Sequence, residues 1–154
     1  MAPIAMPATH ETADEAEAFV RAFGDFWSAP TPERFRALMH PEVHLVQPLA
    51  PDAHGIDEAV AWFTATQALL PDIRITVQRW GGTPEALFIE WTAHATFGGK
   101  PVSWDAVDRF RLERGLVRER VARFDALPLV VTILTRPGGW LHALRARLGA
   151  PARA

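Results

Sequence analysis

Between residues 86 and 112 apolar and polar side chains alternate in two long runs. In "EALFIEWTAHATF" one row is Leu87, Ile89, Trp91, Ala93, Ala95 and Phe97, and the other is Phe88, Glu90, Thr92, His94 and Thr96. After Gly98-Gly99, "SWDAVDRFRLERG" sets Trp104, Ala106, Asp108, Phe110 and Leu112 against Ser103, Asp105, Val107, Arg109 and Arg111. Successive strand side chains point to opposite faces, so a period of two on both sides of a Gly-Gly turn predicts an antiparallel hairpin buried on one face. Such a hairpin needs a second layer to cover that face. One member of the buried row does not belong there: Asp108, a carboxylate among apolar neighbours, is costly unless it is paired or protonated.

The rest of the chain supplies the second layer. "TADEAEAFVRAFGDFW" places Ala16, Phe19, Val20, Phe23 and Phe26 or Trp27 on one helical stripe. "TPERFRALM" predicts a short helix capped by Thr31 with Pro32 in its first turn. "EVHLVQP" reads as a strand with Val43, Leu45 and Gln47 on one face, and Pro48 and Pro51 make a loop to Gly55. "GIDEAVAWFTATQALLP" is a third helix with Ile56, Val60, Phe63 and Leu70 inward, ended by Pro71. "DIRITVQRW" buries Ile73, Ile75 and Val77, Gly81-Gly82 turns the chain, and "LVRERVARFD" follows the hairpin as a last strand. Three helices on a curved antiparallel sheet predict an α+β cone with an interior pocket, toward which Asp108 points. The organisation expected is a frayed start over 1–12, one domain over 13–126 and an apolar tail over 127–154.

Composition narrows the function classes. The chain has 154 residues, is 49% hydrophobic and 22% charged, and carries a formal charge of −2. That is an ordinary globular domain with no positive footprint for nucleic acid. It has no cysteine, so disulfides, thiolate nucleophiles and cysteine metal sites are excluded. "MAPIAMPATHETADEAEAF" lacks a positive n-region and a continuous apolar h-region, which makes a cytoplasmic address the expectation. No metal is expected either: His40 and His44 are four apart but straddle Pro41, which breaks helical geometry.

Three stretches carry a resemblance that covers residues 15 to 127. "WTAHATFGG", "VDRFRLERGLV" and "HGIDEAVAWF" resemble the nuclear transport factor 2-like superfamily, and within it the SnoaL-like and ketosteroid-isomerase-like branches. The resemblance implies a cone-shaped fold, a homodimer through the outer face of the sheet, no cofactor, and a small hydrophobic molecule as partner. Residue by residue it is selective. Gln47, just before Pro48, stands where the isomerases have an Asp base, and Gln cannot accept and return a proton at neutral pH. Phe23 stands near their oxyanion tyrosine, and this chain has no tyrosine. Asp108 matches their protonated Asp, since an apolar site raises a carboxyl pKa enough to let it donate. Ala122 stands where the cyclases place their acid/base Asp, with Asp125 three residues on and reachable through a bulge. Asp108, Asp125 and Arg120 or Arg123 supply the residue types of an epoxide hydrolase of the limonene-epoxide-hydrolase type, without its spacing.

The candidate catalytic residues are therefore Asp108, Gln47, Asp125 and Arg120, and the candidate ligand-binding residues are Phe23, Trp62, Trp91, Trp104 and Phe110. Each has a structural alternative: Asp108 as a salt bridge to Arg120 or another basic group, Gln47 as a satisfied buried amide, the tryptophans as core. His94, sharing a parity with Glu90 and Thr92, belongs on the polar face. The function expected is a cofactor-independent lyase, isomerase or cyclase acting on a small hydrophobic carbonyl, polyketide-like or terpenoid-like molecule; a non-catalytic module binding such a molecule is the rival. In the tail, "ALPLVVTILTR" is too short to span a bilayer, and "WLHALRARL" sets Trp140, Leu141, Leu144 and Leu148 against Arg145 and Arg147. The tail is expected to be a lid over the pocket or an interface.

Overall fold

A computed structural model describes residues 10–140. The amphipathic segment expected beyond Trp140 lies outside the described residues, as do residues 1–9 of the expected frayed start; residues 10–12 open the first helix. The elements are α1 (His10–Ser28), α2 (Pro32–Leu38), β1 (Met39–Val46), β2 (Ala53–His54), α3 (Ile56–Leu69), β3 (Arg74–Thr83), β4 (Ala86–Phe97), β5 (Lys100–Glu113), β6 (Leu116–Arg123) and α4 (Leu127–Thr135). No helix among the described residues is long and apolar enough to cross a membrane.

The fold is α+β, with six strands in the order β2-β1-β6-β5-β4-β3. After β1 the chain crosses to the far edge through α3 and meanders back, so the last strand arrives beside the first. That return makes β1 and β6 parallel, with Leu45 opposite Arg120, in a sheet whose other pairs are antiparallel. The α1 stripe is buried as its spacing predicts, from Ala16 to Trp27. Its rings meet α2 and α3 at Phe63, which is fully buried and stacked on Phe35 with centroids 4.5 Å apart. Thr31 caps α2, its hydroxyl accepting from the Arg34 N–H at 3.2 Å.

Two turns follow the sequence reading. Gly98 and Gly99 have φ of 60° and 74°, the left-handed pair that a tight two-residue hairpin requires. Arg114 and Gly115 repeat the device before β6. The expected Gly81-Gly82 turn is different. The strand runs through both glycines to Thr83, which pairs with Ala86, and Pro84-Glu85 make the turn. Gly82 serves close approach: a Cβ there would lie 2.1 Å from the Ala86 carbonyl oxygen.

One irregularity decides what faces the cone interior. Arg111 pairs with Glu119 but Leu112 pairs with Val117, so Arg118 is an extra residue on β6. This bulge shifts the parity, so that Arg120 and Ala122 join the inward row opposite Phe110 and Asp108. Charge pins it: Arg118 bridges to Glu42 at 3.1 Å and to Glu113 at 3.5 Å, and also donates to the Glu42 carbonyl.

Candidate functional site

A cavity of about 270 Å³ lies between the sheet, α3 and α4. The sheet contributes Trp91, Trp104 and Arg120, α3 contributes Trp62 and Thr66, and the chain leaving β1 contributes Gln47 to Ala50. Leu129, Thr132 and Ile133 of α4 also line it. That helix is held at both ends. Asp125 accepts from the Leu127 N–H at 3.0 Å, and Arg136 donates to the carbonyls of Phe97, Lys100 and Pro101 at 3.3, 3.1 and 3.2 Å, tying the tail to the β4–β5 hairpin.

Arg120 is the one titratable side chain among the described residues of this wall. Its Nε donates to Asp108 Oδ2 at 2.7 Å, and its guanidinium carbon lies 5.6 Å from the Trp62 ring centroid. The aspartate is fully buried and the arginine side chain only 11% exposed. The salt-bridge alternative for Asp108 is thus what the structure shows, and the bulge is its cause: it turns Arg120 inward, diagonally across from Asp108. A pair this dry roughly breaks even overall, yet removing one partner strands the other at a cost of about 3–5 kcal/mol. Asp108 itself lies behind the wall, flanked by Ile89 on β4 and Ala122 on β6.

Trp62, Trp91, Trp104 and Gln47 line the cavity, together with Trp27, Phe97 and Phe124, which the sequence reading did not single out as site residues. Phe23 and Phe110 do not. They pack on each other at 5.5 Å, with Phe19 against both, inside the core between α1 and β5. Asp125 is exposed at the start of α4, and Arg123 is exposed opposite Val107 on the outer face. The Asp-Arg-Asp set of an epoxide hydrolase is therefore not assembled: only Asp108 and Arg120 meet. His94 is exposed on the outer face, as its parity predicts.

Several polar atoms of the lining residues are buried without partners. Trp27 Nε1, Trp91 Nε1, Trp104 Nε1 and Gln47 Nε2 are buried with no hydrogen-bond acceptor among the described residues, and all four belong to lining residues. Each such donor costs about 1–3 kcal/mol while unpaired. Among the described residues the one unpartnered buried side-chain acceptor is Asp108 Oδ1, whose residue is not among those lining the cavity.

Two other features are weaker candidates. His44 and His54 face each other across β1 and β2, rings stacked at 4.4 Å and 14° apart, with Asp52 Oδ2 3.1 Å from His44 Nε2. Sequence spacing alone missed this cluster, because the Pro48–Pro51 loop folds back to bring His54 beside His44. Their ligating atoms lie within 4.8 Å of one another. Nearly parallel rings aim their nitrogen lone pairs along separate planes, so in this arrangement no single ion lies in the plane of both. A larger and more open depression of about 480 Å³ lies beside Gly98, Gly99, Gly138 and Gly139. Its only titratable group among the described residues, Asp72, is already engaged: hydrogen bonds from Thr96 hold its carboxyl below the ordinary value.

Comparison with known proteins agrees with this architecture. A SnoaL-like protein from Jannaschia sp. CCS1, described as a polyketide cyclase, superposes with a TM-score of 0.72 at 15% identity, over 85% of this chain and 99% of that one. IdmH from Streptomyces antibioticus, also described as a polyketide cyclase, gives 0.66 at 19% identity, over 78% and 99%. TerC, co-crystallised with polyporic acid, gives 0.70 at 16% identity, over 79% and 99%. Likeness at these identities shows a shared fold. None of the curated proteins compared matches the sequence. Residues 20–120 match the model of the SnoaL-like domain, a span that includes Asp108 and Arg120 and ends before α4. The chain belongs to the SnoaL-like domain family.

Proposed function

We propose that this protein is a cofactor-independent catalyst of the cyclase or isomerase type, acting on a small hydrophobic carbonyl compound. One observation carries the reading: on the wall of a mainly apolar cavity, a guanidinium is held in a fixed orientation by a fully buried carboxylate 2.7 Å away. Arg120 receives the substrate oxygen, and the Gln47 amide stands on the same wall to assist. Negative charge grows on that oxygen as an α-proton passes to solvent water, the described lining residues offering no side-chain base, and preoriented donors stabilise the resulting enolate. Enolate formation opens both ring closure and double-bond migration. Asp108 does not reach the cavity; it acts as a positioning residue that fixes Arg120. The polyketide cyclases among the structural neighbours support the same chemistry.

A second reading, a binding module for the same kind of molecule, is favoured by the lack of any carboxylate or imidazole among the described lining residues. Incubating the protein with enones, 1,3-diketones, epoxides and polyketide-like ketones separates the two. Conversion of one class, lost on changing Arg120, is the expected result. Binding of several classes with similar affinity and conversion of none would leave only the binding module.

We further assign α4 as a lid, and place the protein in the cytoplasm as a homodimer through the outer face of the sheet, where Phe88 and Val107 are exposed diagonal neighbours. A chain ending at Ala126 is expected to remain dimeric by sedimentation and to lose retention of a hydrophobic dye. Loss of the dimer with dye retention unchanged would make α4 an interface and not a lid.

A further inference from the structure

α4 carries apolar side chains on two opposite sides. At about 100° per residue, Leu127, Val131 and Leu134 gather on one side of the helix, and Leu129, Thr132 and Ile133 on the other. The second group lines the cavity. The first faces outward: Leu127 is 67% exposed, Val131 50% and Leu134 63%. Trp140 follows, half exposed, its Nε1–H donating to the Ile133 carbonyl and so tying the ring to the end of the helix. A surface helix normally turns a polar face outward, and one that is apolar on both sides is usually covered on both. Among the described residues nothing covers this one.

Charge indicates what does. Residues 126–154 hold Arg136, Arg145, Arg147 and Arg153 and no Asp, Glu or Lys. The whole chain has a formal charge of −2, so residues 1–125 carry −6 against +4 for this tail. Arg136 donates to carbonyls, which leave its charge unneutralised. An outward apolar face that runs into a wholly cationic segment matches an anionic bilayer, where apolar side chains enter the headgroup boundary and arginines meet lipid phosphates. Tryptophan suits that boundary, with an apolar ring and a polar N–H. A nucleic acid answers the charge but not the leucines, and a second copy would bring four more arginines to the same place. A helix of nine residues is too short to span, so it lies along the surface.

We infer that α4 and the arginines after it dock the protein on an anionic lipid bilayer, with Leu127, Val131 and Leu134 in the headgroup boundary. This docking goes beyond the chemistry of the cavity and does not depend on what the cavity binds. It does set the cavity close to a source of hydrophobic molecules, with only the thickness of α4, roughly 10 Å, between it and the bilayer.

The test is flotation of the full chain with vesicles of phosphatidylcholine, alone or with about one-third phosphatidylglycerol. Binding to the anionic vesicles is expected to be about tenfold or more the tighter at roughly 0.1 M salt, and to lose most of that margin at roughly 1 M, where the screening length falls to about 3 Å. Val131→Asp with Leu134→Asp alters only exposed positions, and Arg145→Gln with Arg147→Gln and Arg153→Gln alters only the tail. Each set is expected to weaken binding about tenfold or more with the thermal unfolding midpoint kept. Equal binding to the two kinds of vesicle overturns the inference, as does either set binding like the wild type. Binding to neither overturns it as well. In that case a fall in sedimenting mass on changing Val131 and Leu134 would give the face to a second copy, and an unchanged mass would give it to residues 141–154.

Discussion

Arg120→Met will lower folding stability by about 3–5 kcal/mol, because it leaves the Asp108 carboxylate uncompensated at a fully buried position. Asp108 Oδ1 already has no donor among the described residues, so deleting Arg120 would leave both oxygens without one. The double variant Asp108→Leu with Arg120→Met should regain most of that loss, since replacing both members of a buried pair by apolar groups of similar size is often neutral or stabilising. Urea denaturation of the wild type, both single variants and the double variant measures the cycle. A double variant as unstable as Arg120→Met would mean that the loss comes from packing around the arginine stem and not from the stranded charge.

Arg120→Lys should separate stability from function. The ammonium still neutralises Asp108, so the fold is kept, but the planar fork and the extra donors toward the cavity are lost. On whichever carbonyl compound the screen identifies, kcat is expected to fall about 10²–10³-fold, the cost of removing an oxyanion donor, with KM little changed. A lysine variant with wild-type kcat would remove Arg120 from the chemistry. Asp108→Asn is the companion measurement: Asn still accepts from Arg120 Nε, so a positioning role predicts a drop well short of the roughly 10²–10⁴-fold seen when a proton-transfer group is lost.

Much of this architecture can be read from the chain because it depends on local periodicity. The α1 stripe, the Thr31 cap and the alternating rows of β4 and β5 are each set by neighbours a few residues apart, and Asp108 announces itself by breaking its row. Long-range pairing is less legible. Nothing near Leu45 indicates that it will lie parallel to Arg120, and nothing between His44 and His54 indicates that they will stack. The Gly81-Gly82 turn was misplaced because glycine serves both tight turns and close strand approach, and only the partner strand distinguishes them. Phe23 and Phe110 face inward as expected. Inward at the α1 end of the cone means core, however, while inward beside α3 and α4 means cavity, and parity is blind to that difference. Arg120 could not be assigned a face from sequence, because its orientation depends on where β6 gains one residue against β5.

That single extra residue carries a wider consequence. Paired without the bulge, the same β6 sequence would present Glu119 and Val121 to the interior in place of Arg120 and Ala122. The cavity would exchange a cation for an anion, an electron-withdrawing group for a proton acceptor, with no side chain altered. On this sheet the sign of the reactive charge is encoded in register, so inserting or deleting one residue is a shorter evolutionary step between an electrophilic and a basic pocket than any set of substitutions.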